Sequence, residues 1–192
     1  MRKRKMDFVL YEDEFYRFIF RFYPRLSHCH SYNEEPPKTY EDIYKVYFNY
    51  AIICQYLDDG KIESSEQIWN SGCDECSIIN EIAYICSKIS DNIFTETKTI
   101  YDGEERTFNY LKQYFCLGDG IDWKIERVER YNHWNKNKEF LKEPETYHNF
   151  EFLMRKENGV SYIFELSPND TKEFGKFLQN CCDCMLEHGE PI

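Results

Sequence analysis

The stretch TYEDIYKVYFNYAIICQYLDDG, residues 39–60, decides how the first half of the chain is read. Thr39 suits an N-cap, and Glu41 and Asp42 sit where a helix start favours negative charge. Ile43, Val46, Tyr47, Tyr50, Ala51, Ile53, Cys54 and Leu57 form a wide apolar stripe at helical spacing, and Gly60 is placed to end the element. The stretch therefore predicts a helix from Thr39 to Gly60.

Working outward, Phe8-Val9-Leu10 reads as a short first strand. Phe15, Phe18, Ile19 and Phe22 follow at i, i+3, i+4, i+7, one face of a helix that Pro24 stops. Residues 27–38, with Pro36-Pro37, read as an exposed loop. On the other side, residues 58–72 form a polar connection. Ile78, Ile79, Ile82, Ile85, Cys86 and Ile89 then predict a helix over 74–90. An edge strand is expected at Thr97–Tyr101, and Phe108, Leu111, Phe115 and Gly118 suggest a short helix.

The period changes after that. Ile121, Trp123 and Ile125 alternate with Asp122, Lys124 and Glu126, as in a half-buried strand. Residues 129–148 are polar and read as irregular. Phe150, Phe152 and Met154 alternate, then Asn158-Gly159, then Val160, Tyr162, Phe164 and Leu166. Asn-Gly between alternating runs marks a hairpin, because both turn residues need positive φ. Ser167-Pro168 with Asp170 opens a last helix whose face is Phe174, Phe177, Leu178, Cys181 and Met185.

The expected fold is α+β. A helical first half precedes an antiparallel three-stranded meander (about 120–128, 149–156 and 160–166) and a C-terminal helix (about 168–187), all around a single core. The expected organisation is one domain over 1–192, with a sub-layout of 1–118 and 119–192 as the variant. No internal repeat is visible.

Composition narrows the class. Sixteen Tyr, fifteen Phe and three Trp make the chain 18% aromatic, too rich in large apolar groups for a disordered chain. No apolar run approaches the roughly 20 residues a bilayer-spanning helix needs. The basic start Met1–Lys5 leads into Asp7, Glu12, Asp13 and Glu14 rather than into a signal-peptide apolar region. Nine cysteines fit reduced thiols better than a disulfide framework, and a cytoplasmic location is expected.

Few residues carry recognisable chemistry. Cys73-Asp74-Glu75-Cys76 has the spacing of two zinc thiolates, and Cys184 with His188 could complete a tetrahedral set. His28-Cys29-His30 is another local cluster. Zinc is the one cofactor to consider; otherwise none is expected. Acids inside the CxxC argue against a redox dithiol. No nucleophile elbow, phosphate loop or HExxH occurs, so no catalytic residue is assigned and an enzyme is the less favoured class. His133, Glu145 and His148 in the 129–148 segment are the material for an alternative hydrolase or nuclease site. Lys124, Arg127, Arg130, Lys136, Lys138 and Lys142 interleave with Tyr131, Trp134 and Phe140, as in single-strand nucleic-acid platforms. Glu126, Glu129 and Glu139 offset half of that charge, so direct nucleic-acid binding is not expected.

The net charge of −11 is concentrated. Residues 1–30 hold seven Lys/Arg against four Asp/Glu; residues 31–105, five against sixteen; residues 106–162, ten against nine; and residues 163–192, two against six. The second block alone equals the total. A concentrated negative surface steers a basic partner. The candidate docking residues are Asp58, Asp59, Glu63, Glu66, Asp74, Glu75, Asp102, Glu104 and Glu105, with Trp69 and Tyr101 as aromatic anchors. Trp134 could serve likewise. In overall character, not in any motif, the chain resembles small acidic inhibitors of bacteria and phages: immunity, anti-restriction and anti-CRISPR proteins. That likeness implies a non-enzymatic protein that inhibits or regulates a basic, nucleic-acid-processing protein. Oligomeric state is left open.

Overall fold

The computed structural model describes residues 6–24, 47–89, 95–99, 105–109, 112–116, 122–155 and 159–188. Its elements are β1 (Met6–Glu12), β2 (Tyr16–Tyr23), β3 (Tyr47–Asp58), β4 (Lys61–Glu75), α1 (Cys76–Ile89), β5 (Thr95–Thr99), β6 (Glu105–Asn109), β7 (Lys112–Cys116), β8 (Asp122–Trp134), β9 (Phe140–Arg155), β10 (Ser161–Leu166) and α2 (Pro168–His188). The protein is mostly β, with two helices among the described residues. The expected helical first half is corrected to strands, and the single core to two.

The stretch that decides the fold is a strand, β3, and not a helix. It lies between β2 and β4, so both of its edges are paired, and consecutive side chains on both of its faces are buried. Tyr50, Ala51, Ile52, Ile53 and Cys54 are all buried. A strand covered on both faces loses its alternation, and a continuous apolar run satisfies helical spacing as well as strand spacing. Residues 39–46 lie outside the described residues. Gly60 ends no helix. Asp59 and Gly60 both have positive φ, 46° and 72°, and Asp58 pairs with Lys61 across them. This is the two-residue hairpin turn that Asp-Gly favours. No atom lies within 4 Å of where a Cβ on Gly60 would sit. Gly60→Ala is therefore expected to cost about 1 kcal/mol through backbone conformation alone. Urea denaturation checks this; a clash-sized loss would contradict the open turn.

The expected helix at 15–22 is β2. Phe18, Phe20 and Phe22 point to one face and Arg17, Ile19 and Arg21 to the other, a period-2 pattern that also contains the i, i+3, i+4 coincidence. The expected short helix around 108–118 is likewise absent, since Phe108 lies on β6 and Phe115 on β7. Leu111, Gly118 and Tyr101 lie outside the described residues. The three expected strands of the meander are β8, β9 and β10, joined by a fourth, β7, in the order β10-β9-β8-β7.

The chain forms two compact units. The first comprises Met1–Cys86 and Glu173–Ile192. Its sheet, β1-β2-β3-β4, is antiparallel throughout. Phe20 stacks on Tyr50 at 4.7 Å, and Phe174 of α2 sits 5.1 Å from Phe8 and 5.3 Å from Phe20. The C-terminal helix therefore packs on the N-terminal sheet. On the opposite face Ile19, Ala51 and Ile53 are buried beside Tyr23. Arg21 and Arg17 pair there with Asp7 and Glu12, each at 2.7 Å. Ile79, Ile82 and Cys86 of α1 are fully buried in this unit, and burial pushes the Cys86 thiol pKa up, leaving it an inert apolar group.

The second unit, Ser87–Lys172, contains the β10-β9-β8-β7 sheet and the β5–β6 hairpin. Its core is Trp123, Ile125, Phe150, Phe152, Met154, Phe164 and Leu166, with Phe152 and Phe164 stacked at 4.9 Å and 3°. At its end Ser167 caps α2: Oγ accepts the Asp170 N–H at 3.1 Å, and the Ser167 carbonyl accepts the Thr171 hydroxyl at 2.8 Å. A four-stranded antiparallel meander followed by a helix thus occurs twice, as β1–β4 with α1 and as β7–β10 with α2.

Candidate interaction sites

Two β-hairpins carry the exposed chemistry. The first is β3–β4. Asp58, Asp59, Glu63 and Glu66 are all exposed on it, and every residue from Asp58 to Ile68 is exposed. The turn places Asp58 and Asp59 at the tip. Glu66 pairs with Cys54, and Glu63 lies unpaired at the register shift between Tyr56 and Leu57, so the acids spread from the turn along β4. The Tyr56 hydroxyl donates to Glu66 Oε1 at 3.0 Å, and that bond raises the Tyr56 pKa. β4 is an edge strand, paired only with β3. Ile62 and Ile68 are the exposed apolar residues beside the acids.

The other proposed docking residues fare differently. Trp69 is no anchor: it faces the core and is 2% exposed. Its position on β4, opposite Ile52, explains this, since Ile52 is fully buried on the same face. Asp74 and Glu75 end β4 and Glu105 begins β6, with side chains outside the described set. Tyr101, Asp102 and Glu104 lie outside it altogether.

The cysteine set is not assembled among the described residues. Cys76 is buried at the first position of α1, and Cys184 is half-buried on α2. The side chains of Cys73 and His188 lie outside the described set, as does His28-Cys29-His30. Among the described residues no three His, Cys, Asp or Glu side chains are grouped to hold a metal ion. No described helix is long and apolar enough to cross a membrane.

The second hairpin is β8–β9. The 129–148 segment, expected to be irregular, is regular strand on both sides of a turn. β10 covers β9 only from Phe150 to Arg155, and β7 covers β8 only from Asp122 to Glu126. Beyond those points, among the described residues, the two strands pair only with each other, to Trp134 and Phe140. The eight residues Arg127–Trp134 make an arm roughly 25 Å long. The mixed composition of 129–148 hid this, because an arm open on both faces carries no apolar alternation.

A two-stranded ribbon is marginal alone, and named bonds hold this one. At its base Arg130 reaches Glu165 at 2.6 Å and Glu151 at 3.7 Å, and Asn149 donates to Glu165 at 2.7 Å. Partial burial works to raise the Glu165 carboxyl pKa; the bonds from Arg130 and Asn149 outweigh it and hold it below the usual range. At the tip Asn135 organises the turn. Its Oδ1 accepts the N–H groups of Asn137 and Glu139, both at 2.9 Å, and its Nδ2 donates to Glu139 at 2.8 Å. Lys138 takes a positive φ of 61° to close the turn. His133 stacks on Phe140 at 5.5 Å and Trp134 meets the same ring edge-on at 5.5 Å.

The same ribbon separates the groups of the alternative hydrolase site. Glu145 pairs with Asn132 and His148 with Glu129, three residues apart on one strand, so they lie on opposite faces. His133 sits near the tip, stacked on Phe140. The three do not converge.

One cluster had no counterpart in the sequence argument. At the β1–β2 turn Asp13 accepts the N–H groups of Phe15 and Tyr16 at 2.8 and 2.7 Å and the Tyr11 hydroxyl at 2.9 Å. These bonds hold its carboxyl pKa down. Tyr11, Phe15 and Tyr16 are exposed around it. Asp followed by an exposed aromatic pair was the available signal, but it was absorbed into the expected helix.

Fold and surface together define a mostly-β protein of two antiparallel meanders whose exposed chemistry lies on hairpins. Compared with protein-family models, curated proteins and solved structures, the chain matches none.

Proposed function

We propose that this is a non-enzymatic binding protein that docks a basic protein, of the nucleic-acid-processing kind, through the acidic β3–β4 hairpin. The observation that carries this reading is the placement of Asp58, Asp59, Glu63 and Glu66 on the exposed turn and first half of β4, residues 58–68. Four carboxylates and one lysine, Lys61, give this finger a net charge of −3. Negative surface of this kind accelerates encounter with a basic groove and loses that effect in salt. Ile62 and Ile68 supply apolar contact beside it. The positive surfaces of nucleic-acid enzymes are the chemistry such a finger fits, because those grooves must neutralise phosphates.

The test uses the full chain as bait against host extract, with the captured protein identified and its association rate then measured on purified components. Asp58→Asn, Asp59→Asn, Glu63→Gln and Glu66→Gln together should slow association roughly tenfold or more at low salt. The wild-type rate should fall steeply as salt rises. A partner that binds both forms at one rate, insensitive to salt, refutes the reading.

A further inference from the structure

We infer that the tip of the β8–β9 arm binds single-stranded nucleic acid. The objection at the level of sequence was that Glu126, Glu129 and Glu139 cancel the basic residues. The structure distributes these charges unequally. Glu126 pairs with Lys124 within the sheet, Glu129 accepts the Tyr131 hydroxyl, and Glu139, although exposed, accepts the Asn135 side-chain N–H. Lys136, Lys138 and Lys142 are exposed and make no ion pair among the described residues. From Trp134 to Lys142 three lysines face one glutamate, a net charge of +2; the exposed Glu143 and Glu145 behind them on β9 bring residues 134–145 to zero, so the positive charge is confined to the turn itself.

Aromatic rings accompany that charge. Trp134 is 55% exposed and Phe140 63%, at the point where the ribbon turns. Tyr131 and Tyr147 are also exposed, further in and on opposite faces. More than half of Trp134 and of Phe140 stays open beyond their contact with one another, and bases have π-faces that stack on such surfaces regardless of sequence. Lysines beside the rings suit the phosphates between successive bases. The Asn135 bonds hold the turn before any ligand arrives, which lowers the ordering cost of binding. The arm's length, roughly 25 Å, exceeds the screening length of about 8 Å at physiological salt, so its tip acts by its local charge and not by the chain's total. A duplex offers phosphates but no open base faces, so the rings select the single strand.

The probe is a fluorescein-labelled oligo-dT of about 20 nucleotides, with the same length of duplex as comparison. Anisotropy should rise on adding the protein, and log affinity should fall against log salt with a slope of about −2, the value for three lysine contacts on a single strand. Trp69 and Trp123 are buried, so quenching of tryptophan emission by the unlabelled strand reports Trp134. Trp134→Ala with Phe140→Ala should weaken binding roughly tenfold or more and abolish the quenching. Lys136→Gln, Lys138→Gln and Lys142→Gln should flatten the salt slope, while Lys176→Gln on α2 leaves binding unchanged. These tip residues are exposed, and unchanged far-ultraviolet dichroism verifies that the variants fold. No anisotropy change at low salt, tighter binding of duplex without quenching, or an unaltered affinity in the ring variant overturns the inference. So does sedimentation showing that the tip residues instead join two copies of the chain.

Discussion

Phe174→Ala is expected to destabilise the first unit by about 3–5 kcal/mol. Phe174 is fully buried and touches the rings of Phe8 and Phe20, which come from two neighbouring strands. Phe20 also stacks on Tyr50 of β3, so one truncation opens a cavity facing three strands. Phe177, within ring contact of Phe8, Phe20 and Phe174, is partly exposed and cannot fill the space without leaving those contacts. Residues more than 150 positions apart in the chain meet here, so the loss should lower amide protection along β1, β2 and β3. Hydrogen exchange with urea titration measures both. A cost below about 1 kcal/mol would mean that the helix is not a structural part of this sheet.

Phe152→Ala is expected to cost about 3–5 kcal/mol in the second unit. Phe152 is fully buried at the centre of its sheet, between Ile125 on β8 and Phe164 on β10, and its ring lies parallel to that of Phe164 at 4.9 Å. The truncation removes the ring pair and leaves a void beside Trp123 and Met154, both fully buried neighbours on the same face. Protection should fall along β8, β9 and β10. The comparison with Phe174→Ala is the sharper measurement. Two separate cores predict that each variant reduces protection chiefly in its own strands, whereas a single shared core would reduce both sets together.

The acidic hairpin and the arm differ in how much of them was legible. Asp58, Asp59, Glu63 and Glu66 could be named from charge density alone, because solvated acids are exposed in almost any fold. Trp69 reads as an exposed anchor in the sequence and is buried, because a tryptophan among polar residues fits either position and only its pairing opposite Ile52 decides. The arm was illegible as structure although its rings and lysines were noted as chemistry. Strand signals come from burial of one face, and residues 127–149 bury little on either.

Local chemistry alone settled the chain from Phe150 to the last described helix. The alternation of Phe150, Phe152, Met154 and of Tyr162, Phe164, Leu166, together with Ser167-Pro168 and Asp170, specifies strand, strand and capped helix wherever they are placed. The isoleucines of α1 did the same for residues 76–89. Tertiary structure decided the first half. Residues 50–57 are apolar on both faces apart from Gln55 because side chains on both faces of β3 are buried, and a run apolar on both faces has no period to read. Asp59-Gly60 held the hairpin signal, yet a glycine after an apolar run ends a helix as readily as it turns a strand. What distinguishes the two is whether Lys61 onward finds a partner in β3, a contact between residues that the sequence does not display. The placement of Phe174 on Phe8 and Phe20 is of the same kind, as is the doubling of meander and helix, since neither is encoded in any local stretch.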